Sequence, residues 1–218
     1  MTTTSDLDLA SLPTIRSAEE LTALIGAPDA AVRDKAQPAL AAQDREFLAA
    51  SPLCFVATRG PDGGDVSPKG DPAGFTHVID DRTIAIPERA GNKRMDGFHN
   101  LLHDSRVALI FLVPGQGYTL RVNGRARLVT DAPFFDEMVV RGQRPLLAMV
   151  VEIDEVFNHC PKAFMRSGAW KPQTWQPESV MPYAELAKAK WRASDPPEEV
   201  DAHYSPEAYE RALYPSGD

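Results

Sequence analysis

The sequence contains few cysteines and no long hydrophobic run. Cys54 and Cys160 are the only two cysteines among 218 residues, too few for a disulfide framework or a thiolate metal site. No apolar segment approaches the ~18 residues that a membrane-spanning helix needs. The N-terminal segment MTTTSDLDLASL lacks both the basic and the apolar region of a secretory signal. We therefore expect a cytoplasmic protein with no membrane association.

Familiar catalytic and metal-binding motifs are also missing. The sequence has no P-loop, no Gly-x-Ser-x-Gly elbow and no Gly-x-Gly-x-x-Gly fingerprint. His99 and His103 have the i, i+4 spacing of a metal-binding pair, but residue 100 is Asn and no third ligand is evident. No metal site is expected, and any chemistry should depend on a bound cofactor.

Positive charge is scarce overall but concentrated in one place. The chain carries 31 acidic and 23 basic residues, a formal charge of −8, which argues against a nucleic-acid partner. Yet Arg89, Lys93 and Arg94 lie close to Gly91 and Asn92, where a helix is predicted to begin. Backbone amides at a helix start together with cations suit a phosphate group. A solvated basic turn that pairs with acidic residues elsewhere is the alternative.

The helix after this basic stretch is predicted from its amphipathic pattern. On a helical wheel Met95, Phe98, Leu101 and Leu102 share one side, and the polar residues take the other. We expect that apolar side to pack on the core.

The rest of the chain changes from helical to strand periodicity and back. Helices are predicted from Ser17 to a stop at Gly26, over residues 44–50 and 132–141, and from Pro206 to Leu213. Between them lie short β-rich runs with tight turns, at residues 53–58, 65–69, 77–79, 83–86, 107–113, 118–130 and 146–157. Gly124 interrupts one of these runs, which indicates a β-bulge. This pattern favours an antiparallel barrel or sandwich of about six strands.

Two further stretches contain candidate ligand-binding residues. In GDVSPKGDP, Ser67 and Lys69 share one side of a strand, and Pro68 indicates that the strand lies at a sheet edge. Such an edge could bind a planar polar ligand, or it could be a plain surface hairpin. In CPKAFMRSGAW, a cation near Trp170 could hold an aromatic ligand, although Trp is as often an anchor between subunits.

These stretches, in this order, resemble the FMN-binding split barrels of the pyridoxamine 5'-phosphate oxidase-like superfamily, specifically its bacterial FMN-dependent branch of unassigned substrate. The resemblance rests on FVATRGPDGGDVSPKGDPAGF, TIAIPERAGNKRMDGFHNLLHDSRVALIFLVPG, LRVNGRARL and HCPKAFMRSGAW. It implies a mainly β (α+β) fold: a six-stranded antiparallel split barrel with Greek-key topology and flanking helices. It also implies a homodimer that holds FMN at the interface. The implied divisions are a helical extension at 1–45, the barrel at 46–165 and a C-terminal extension at 166–218.

The resemblance assigns roles to particular residues. Asn92, Lys93 and Arg94 would hold the FMN phosphate. Ser67 and Lys69 would lie along the flavin and its ribityl chain, with Lys69 as the candidate for an electrostatic role. Thr119 and Arg121 would lie on a strand that also reaches the cofactor. The partner subunit would donate Arg166, Ser167 and Trp170.

The sequence also departs from the oxidase itself. It ends in YERALYPSGD, without the oxidase's C-terminal Arg-Leu-His-x-Arg motif, and its phosphate pair is Lys-Arg where the oxidase has Arg-Lys. These differences argue against pyridoxamine phosphate as the substrate. The expected function is an FMN-dependent oxidoreductase acting on another small molecule. The alternatives are a flavin-binding or carrier protein without turnover, and the same fold with a deazaflavin coenzyme.

Overall fold

The computed structural model describes residues 7–215. Contacts within the chain divide it into two units, one ending at Ala36 and the other beginning at Gln37. Within residues 7–215, no helix is both long enough and apolar enough to cross a bilayer.

The first unit contains a short 3-10 helix at Leu9–Ser11 and the helices α1 (Ala18–Ile25) and α2 (Ala30–Arg33). The helix predicted from Ser17 is confirmed. The Ser17 hydroxyl accepts a hydrogen bond from the Glu20 amide, and Gly26 ends the helix with a φ of 93°. A positive φ at this position favours glycine, which has no Cβ to clash.

The second unit is built on one antiparallel sheet. Its strands are β1 (Leu53–Gly60), β2 (Gly63–Gly70), β3 (His77–Asp80), β4 (Thr83–Pro87), β5 (Arg106–Leu112), β6 (Thr119–Val129) and β7 (Ala148–His159). Their order is β2-β1-β5-β6-β7-β4-β3, and every pairing is antiparallel.

The mainly β, α+β class is confirmed, but the sheet has seven strands and not six. Each of the seven predicted β-rich runs forms a strand of its own, including the hairpin of His77–Asp80 and Thr83–Pro87. The count of six, which the split-barrel resemblance implies, is therefore one strand short. β2 and β3 are the two edges of an open sheet and do not pair with each other within the described residues.

The inner face of the sheet forms the hydrophobic core. Val56, Leu109, Val122 and Val156 lie side by side on four neighbouring strands, and all four are buried. Adjacent residues point to opposite faces of a strand, so this row fixes the inner face for every strand between β2 and β7.

The predicted bulge at Gly124 is confirmed. The register of β6 against β7 shifts between Asn123 and Gly124. A Cβ on Gly124 would stand 2.1 Å from the backbone oxygen of Glu152. Glycine is therefore required here, because a rigid backbone atom of β7 occupies the space of any side chain.

Further α-helices flank or follow the strands of the second unit. Those of the second unit are α3 (Ala42–Ala50), α4 (Asp96–His103), α5 (Lys162–Ser167), α6 (Tyr183–Lys190), α7 (Pro197–His203) and α8 (Pro206–Leu213). The helix predicted over 132–141 is a shorter 3-10 helix at Pro133–Met138, where Pro133 begins the turn.

The helix α4 packs across β1 and β2. Asn100 Nδ2 donates to Thr58 Oγ1 on β1 at 3.2 Å, and a Cβ on Gly60 would stand 2.0 Å from Asn100 Oδ1. Phe98 and Leu101 are buried as expected, but Leu102 is 72% exposed and Met95 is also exposed. The apolar face of α4 is therefore narrower than its helical wheel predicts, because only one turn-spaced pair reaches the sheet.

Candidate functional site

The start of α4 has an unusual backbone. Lys93 and Met95 both have positive φ, of 60° and 57°, although neither is glycine. Each such residue costs about 1–3 kcal/mol and persists only where surrounding structure holds it. Met95 occupies the N-cap position, and no side chain of residues 7–215 caps the first turn. The first-turn amides therefore lack the side-chain acceptor that most helices have.

The cations predicted to bind phosphate are at this uncapped turn. Asn92, Lys93 and Arg94 are all exposed, and the Arg94 amide donates to Asn92 Oδ1 at 3.0 Å. The Arg94 guanidinium, 77% exposed, pairs with Asp96 in the first turn. The structure thus contains the acidic pairing that a solvated basic turn would show, and it leaves Lys93 accessible.

Ser67 and Lys69 lie where β2 passes beneath the start of α4. Both are half-buried and face inward, in register with Val56 and Cys54 of β1. A Cβ on Gly97 would stand 3.1 Å from Asp65 Oδ2 and 3.7 Å from Ser67 Oγ. The structure therefore brings Ser67 next to the first turn of α4, together with an acidic residue, Asp65, that sequence reasoning did not single out.

Lys69 is held in a polar pair against an aromatic ring. Its ammonium group pairs with Glu88, both side chains being about one-fifth exposed, and lies 4.5 Å from the centroid of the Phe98 ring. Opposite Lys69 on β1, burial raises the pKa of the Cys54 thiol to about 12, and Lys69 opposes this shift. The charge of Lys69 is therefore balanced by a neighbouring carboxylate.

Arg89 points inward and is not part of the exposed basic turn. Its Nε donates to Asp71 Oδ2, and its terminal nitrogens donate to the backbone oxygens of Met138 at 2.6 Å and Gln143 at 3.3 Å. The Asp71 side chain is 1% exposed, and its other oxygen accepts from the Tyr214 hydroxyl. Arg89 therefore ties the end of β2 to the segment that contains Met138 and Gln143.

Thr119 and Arg121 lie on the opposite face of the sheet from Ser67 and Lys69. Arg121 is in register with Ile110 of β5 and Phe157 of β7, next to the inward row of Val122. The Arg121 guanidinium lies 5.0 Å from the Phe157 ring centroid. The sheet thus separates the predicted cofactor residues into two groups within one subunit.

The outer face combines apolar exposure with unpaired polar atoms. Phe55, Val66 and Ile110 are exposed on this face. In the described part of the chain, Arg121 Nε and Asn123 Oδ1 are buried without a hydrogen-bond partner. Buried polar atoms rarely remain unpaired in proteins, which sets these two atoms apart from the rest of the sheet.

Arg166, Ser167 and Trp170 follow β7. Arg166 is exposed, and Ser167 makes local contacts, donating to the Phe164 oxygen at 3.2 Å. Trp170 stacks on Phe164 with ring centroids 5.4 Å apart, and its Nε1 is buried without a partner among residues 7–215. No hydrogen bond, ion pair or ring contact within residues 7–215 joins these three side chains to the start of α4.

The start of α4 fits a phosphate, and the described residues contain no comparable metal centre. A left-handed residue next to a turn or helix is the backbone arrangement in which successive amides can form an anion-binding concavity, and Met95 has this conformation before α4. Gly91 has open space around it, and Lys93 adds an accessible charge. No group of three or more His, Cys, Asp or Glu residues could hold a metal ion between residues 7 and 215.

The family model for pyridoxamine 5'-phosphate oxidase matches residues 40–160, more than half of the chain. The chain belongs to this family. The match spans the whole sheet and α4, and so includes the predicted phosphate-binding residues and the β2 edge. Among curated proteins, no sequence matches this chain significantly.

Several solved structures match about half of this chain at low sequence identity. HupZ of Group A Streptococcus is 17% identical over 55% of this chain and 93% of its own, with a TM-score of 0.45. An FMN-binding protein from Syntrophomonas wolfei is 18% identical over 53% of this chain and 88% of its own, with a TM-score of 0.39. A pyridoxinephosphate oxidase family protein from Clostridium acetobutylicum is 13% identical over 54% and 86%, with a TM-score of 0.42.

Sequence reasoning missed the acidic residues that surround the site. Asp65, Asp71 and Glu88 contact or approach predicted site residues, yet none stands out by spacing. Lys69 and Asp71 on one segment pair with Glu88 and Arg89 on another. This charge complementarity can be recognised only when the two segments are known to be neighbours.

Proposed function

We propose that this chain is an FMN-binding homodimer of the cytoplasm and acts as a flavin-dependent oxidoreductase on a small molecule other than pyridoxamine phosphate. One observation carries the proposal: a member of the pyridoxamine 5'-phosphate oxidase family presents accessible cations at an uncapped helix start. Phosphate supplies what that turn lacks, because its oxygens accept from amides and pair with Lys93 and Arg94.

The protein's own residues would bind and orient the cofactor. Lys93, Arg94 and the first-turn amides of α4 would hold the phosphate, and the inward side of β2, with Ser67 and Lys69, would lie along the remainder. Bound FMN would supply hydride transfer at its ring. Lys69, kept in place by Glu88, would present a fixed donor to the ring without adding an unbalanced charge to a half-buried site.

The outer face of the sheet supports the dimer part of the proposal. A second copy on this face would cover Phe55 and Ile110 and could supply partners for Arg121 Nε and Asn123 Oδ1. It would also bring a second set of Arg166, Ser167 and Trp170 near the cofactor. The split-barrel description with Greek-key topology belongs to this proposal. The ion pairs Lys69–Glu88 and Arg89–Asp71 support it, because they already hold the segment after β4 against β2.

The proposal is tested by the absorption spectrum of the purified protein and by one double variant. We expect a flavin spectrum that releases FMN on heating. Because Lys93 and Arg94 are exposed, K93A/R94A should fold normally, and losing two charge-assisted contacts of about 1.5–3 kcal/mol each should weaken FMN binding by roughly 10²- to 10⁴-fold. R125A/R127A, which removes two exposed arginines of β6, is the matched control.

A double variant that retains FMN with unchanged affinity would contradict the phosphate assignment. Release of a deazaflavin in place of FMN would contradict the choice of cofactor. If neither oxygen nor an organic acceptor reoxidises the reduced flavin, the oxidoreductase assignment is wrong and the protein is a flavin carrier.

A further inference from the structure

The C-terminal segment, residues 166–215, contacts the chain next to the basic turn at residues 89–94. Tyr214 follows α8 in this segment, and its hydroxyl donates to Asp71, whose side chain is almost completely buried. The same carboxylate binds Arg89. Only three residues separate Arg89 from Lys93 in the sequence, so the C-terminal segment is two hydrogen bonds from the segment that carries the predicted phosphate ligands.

Two adjacent residues fix the start of that segment. Glu88 pairs with Lys69, and Arg89 pairs with Asp71. Two ion pairs therefore hold the chain after β4 against the end of β2, one with its acid on the β4 side and the other with its acid on the β2 side. Arg89 also donates to two backbone oxygens. These contacts anchor the segment immediately before the two positive-φ residues.

The strained turn needs such an anchor. Lys93 and Met95 hold unfavourable backbone conformations, which relax unless both ends of the turn are fixed. Packing of α4 on β1 fixes the far end. The Asp71–Arg89 pair fixes the near end, and Tyr214 supplies the second hydrogen bond to Asp71.

A second contact attaches the C-terminal segment at the same place. Arg141 pairs with Glu210 of α8 at 2.8 Å, and its guanidinium lies 5.1 Å from the Tyr214 ring centroid. Arg141 follows Met138, whose oxygen binds Arg89. Arg141 therefore contacts the ring of Tyr214, and Asp71 accepts a hydrogen bond from its hydroxyl. Burial, together with the neighbouring Asp71, raises the pKa of Tyr214.

We propose that Tyr214, Asp71 and Arg89 are positioning residues for the anion site, and that docking of the C-terminal segment fixes the turn at residues 90–95 in its binding conformation. The inference rests on the proposed function for the identity of the anion. The coupling is reciprocal: a bound phosphate group stabilises the docked C-terminal segment as much as docking favours the phosphate.

The test uses the full-length protein and Tyr214→Phe, which removes the hydroxyl and keeps the ring over Arg141. We expect amides of residues 88–95 to exchange with deuterium about fivefold faster than in the wild type, and FMN to bind about fivefold more weakly. Tyr209→Phe, on the exposed side of α8, should change neither. In the wild type, saturating FMN should slow amide exchange in residues 206–214.

The two proposals fail separately. Faster exchange confined to the C-terminal segment of Tyr214→Phe, with residues 88–95 unchanged, would overturn the positioning role, because exchange is measured without FMN. A wild-type protein that binds no FMN would overturn the proposed function and leave the exchange result to decide the coupling. Equal weakening of FMN binding by Tyr214→Phe in the wild type and in K93A/R94A would also contradict action through the turn.

Discussion

Asp96 competes with an incoming phosphate for Arg94. Its carboxylate pairs with the Arg94 guanidinium at the first turn of α4, so binding a phosphate there requires Arg94 to change partners. Asp96→Asn removes this competitor and one negative charge. We therefore expect the variant to bind FMN more tightly than the wild type, although it removes an acidic residue from a site that is favourable for acids.

The size of the gain follows from two contributions. The exposed Arg94–Asp96 pair is worth about 0.2–1 kcal/mol. For a separation on the order of 8 Å, a carboxylate and a phosphate dianion repel each other in water by about 1 kcal/mol before salt screening, and Asp96→Asn removes this repulsion. Together they give about 1–2 kcal/mol, or roughly 5- to 30-fold tighter binding. The helix should lose about 0.3–1 kcal/mol of stability.

FMN fluorescence quenching at low and high salt measures this effect. The gain should shrink at about 1 M salt, where the screening length falls to about 3 Å. Asp104→Asn is the matched control, because Asp104 makes the same i, i+2 contact with Arg106 at the other end of α4. Unchanged or weaker binding by Asp96→Asn at low salt would refute the reasoning.

Two further predictions concern the sheet. Gly124→Ala would drive a Cβ into the Glu152 backbone oxygen, so it should cost about 1–3 kcal/mol of stability and lower Tm by roughly 2–12 °C. In the control Gly64→Ala the new Cβ would be 3.6 Å from its nearest neighbour, so Tm should stay nearly unchanged. Equal losses of Tm in the two variants would contradict the steric account. Cys160 is exposed, whereas Cys54 is buried and has a raised pKa. A thiol reagent at pH 8 should therefore label one cysteine in the native protein and two after denaturation. Labelling of both cysteines in the native protein would contradict the burial of Cys54 on β1.

Local features of the fold could be predicted from the sequence. Gly26 as a helix stop and Gly124 as a bulge each follow from a conformational property of one residue. Pro68 predicts an edge strand, and β2 is an edge. These predictions succeed because each depends on the residue and its immediate neighbours.

The arrangement of the candidate site could not be predicted in the same way. Which face carries Thr119 and Arg121 depends on the register of β6, and a shift of one residue reverses the face of every side chain. The partners of Arg89 come from residues 71, 138 and 143, which only the folded chain brings together. Leu102 is 72% exposed although its helical wheel position groups it with the buried Phe98 and Leu101, because burial depends on what packs against a helix and not on its periodicity alone.

The seven-stranded sheet has an edge at β2, and Pro68 is the sixth of the eight residues of this strand. Proline has no amide hydrogen to offer, so a foreign strand approaching this edge would meet a missing donor within a strand of only eight residues. The same edge therefore resists growth of the sheet from one molecule into the next. At this edge, sheet-to-sheet addition of a second chain is therefore disfavoured, because the backbone there cannot offer a complete set of donors.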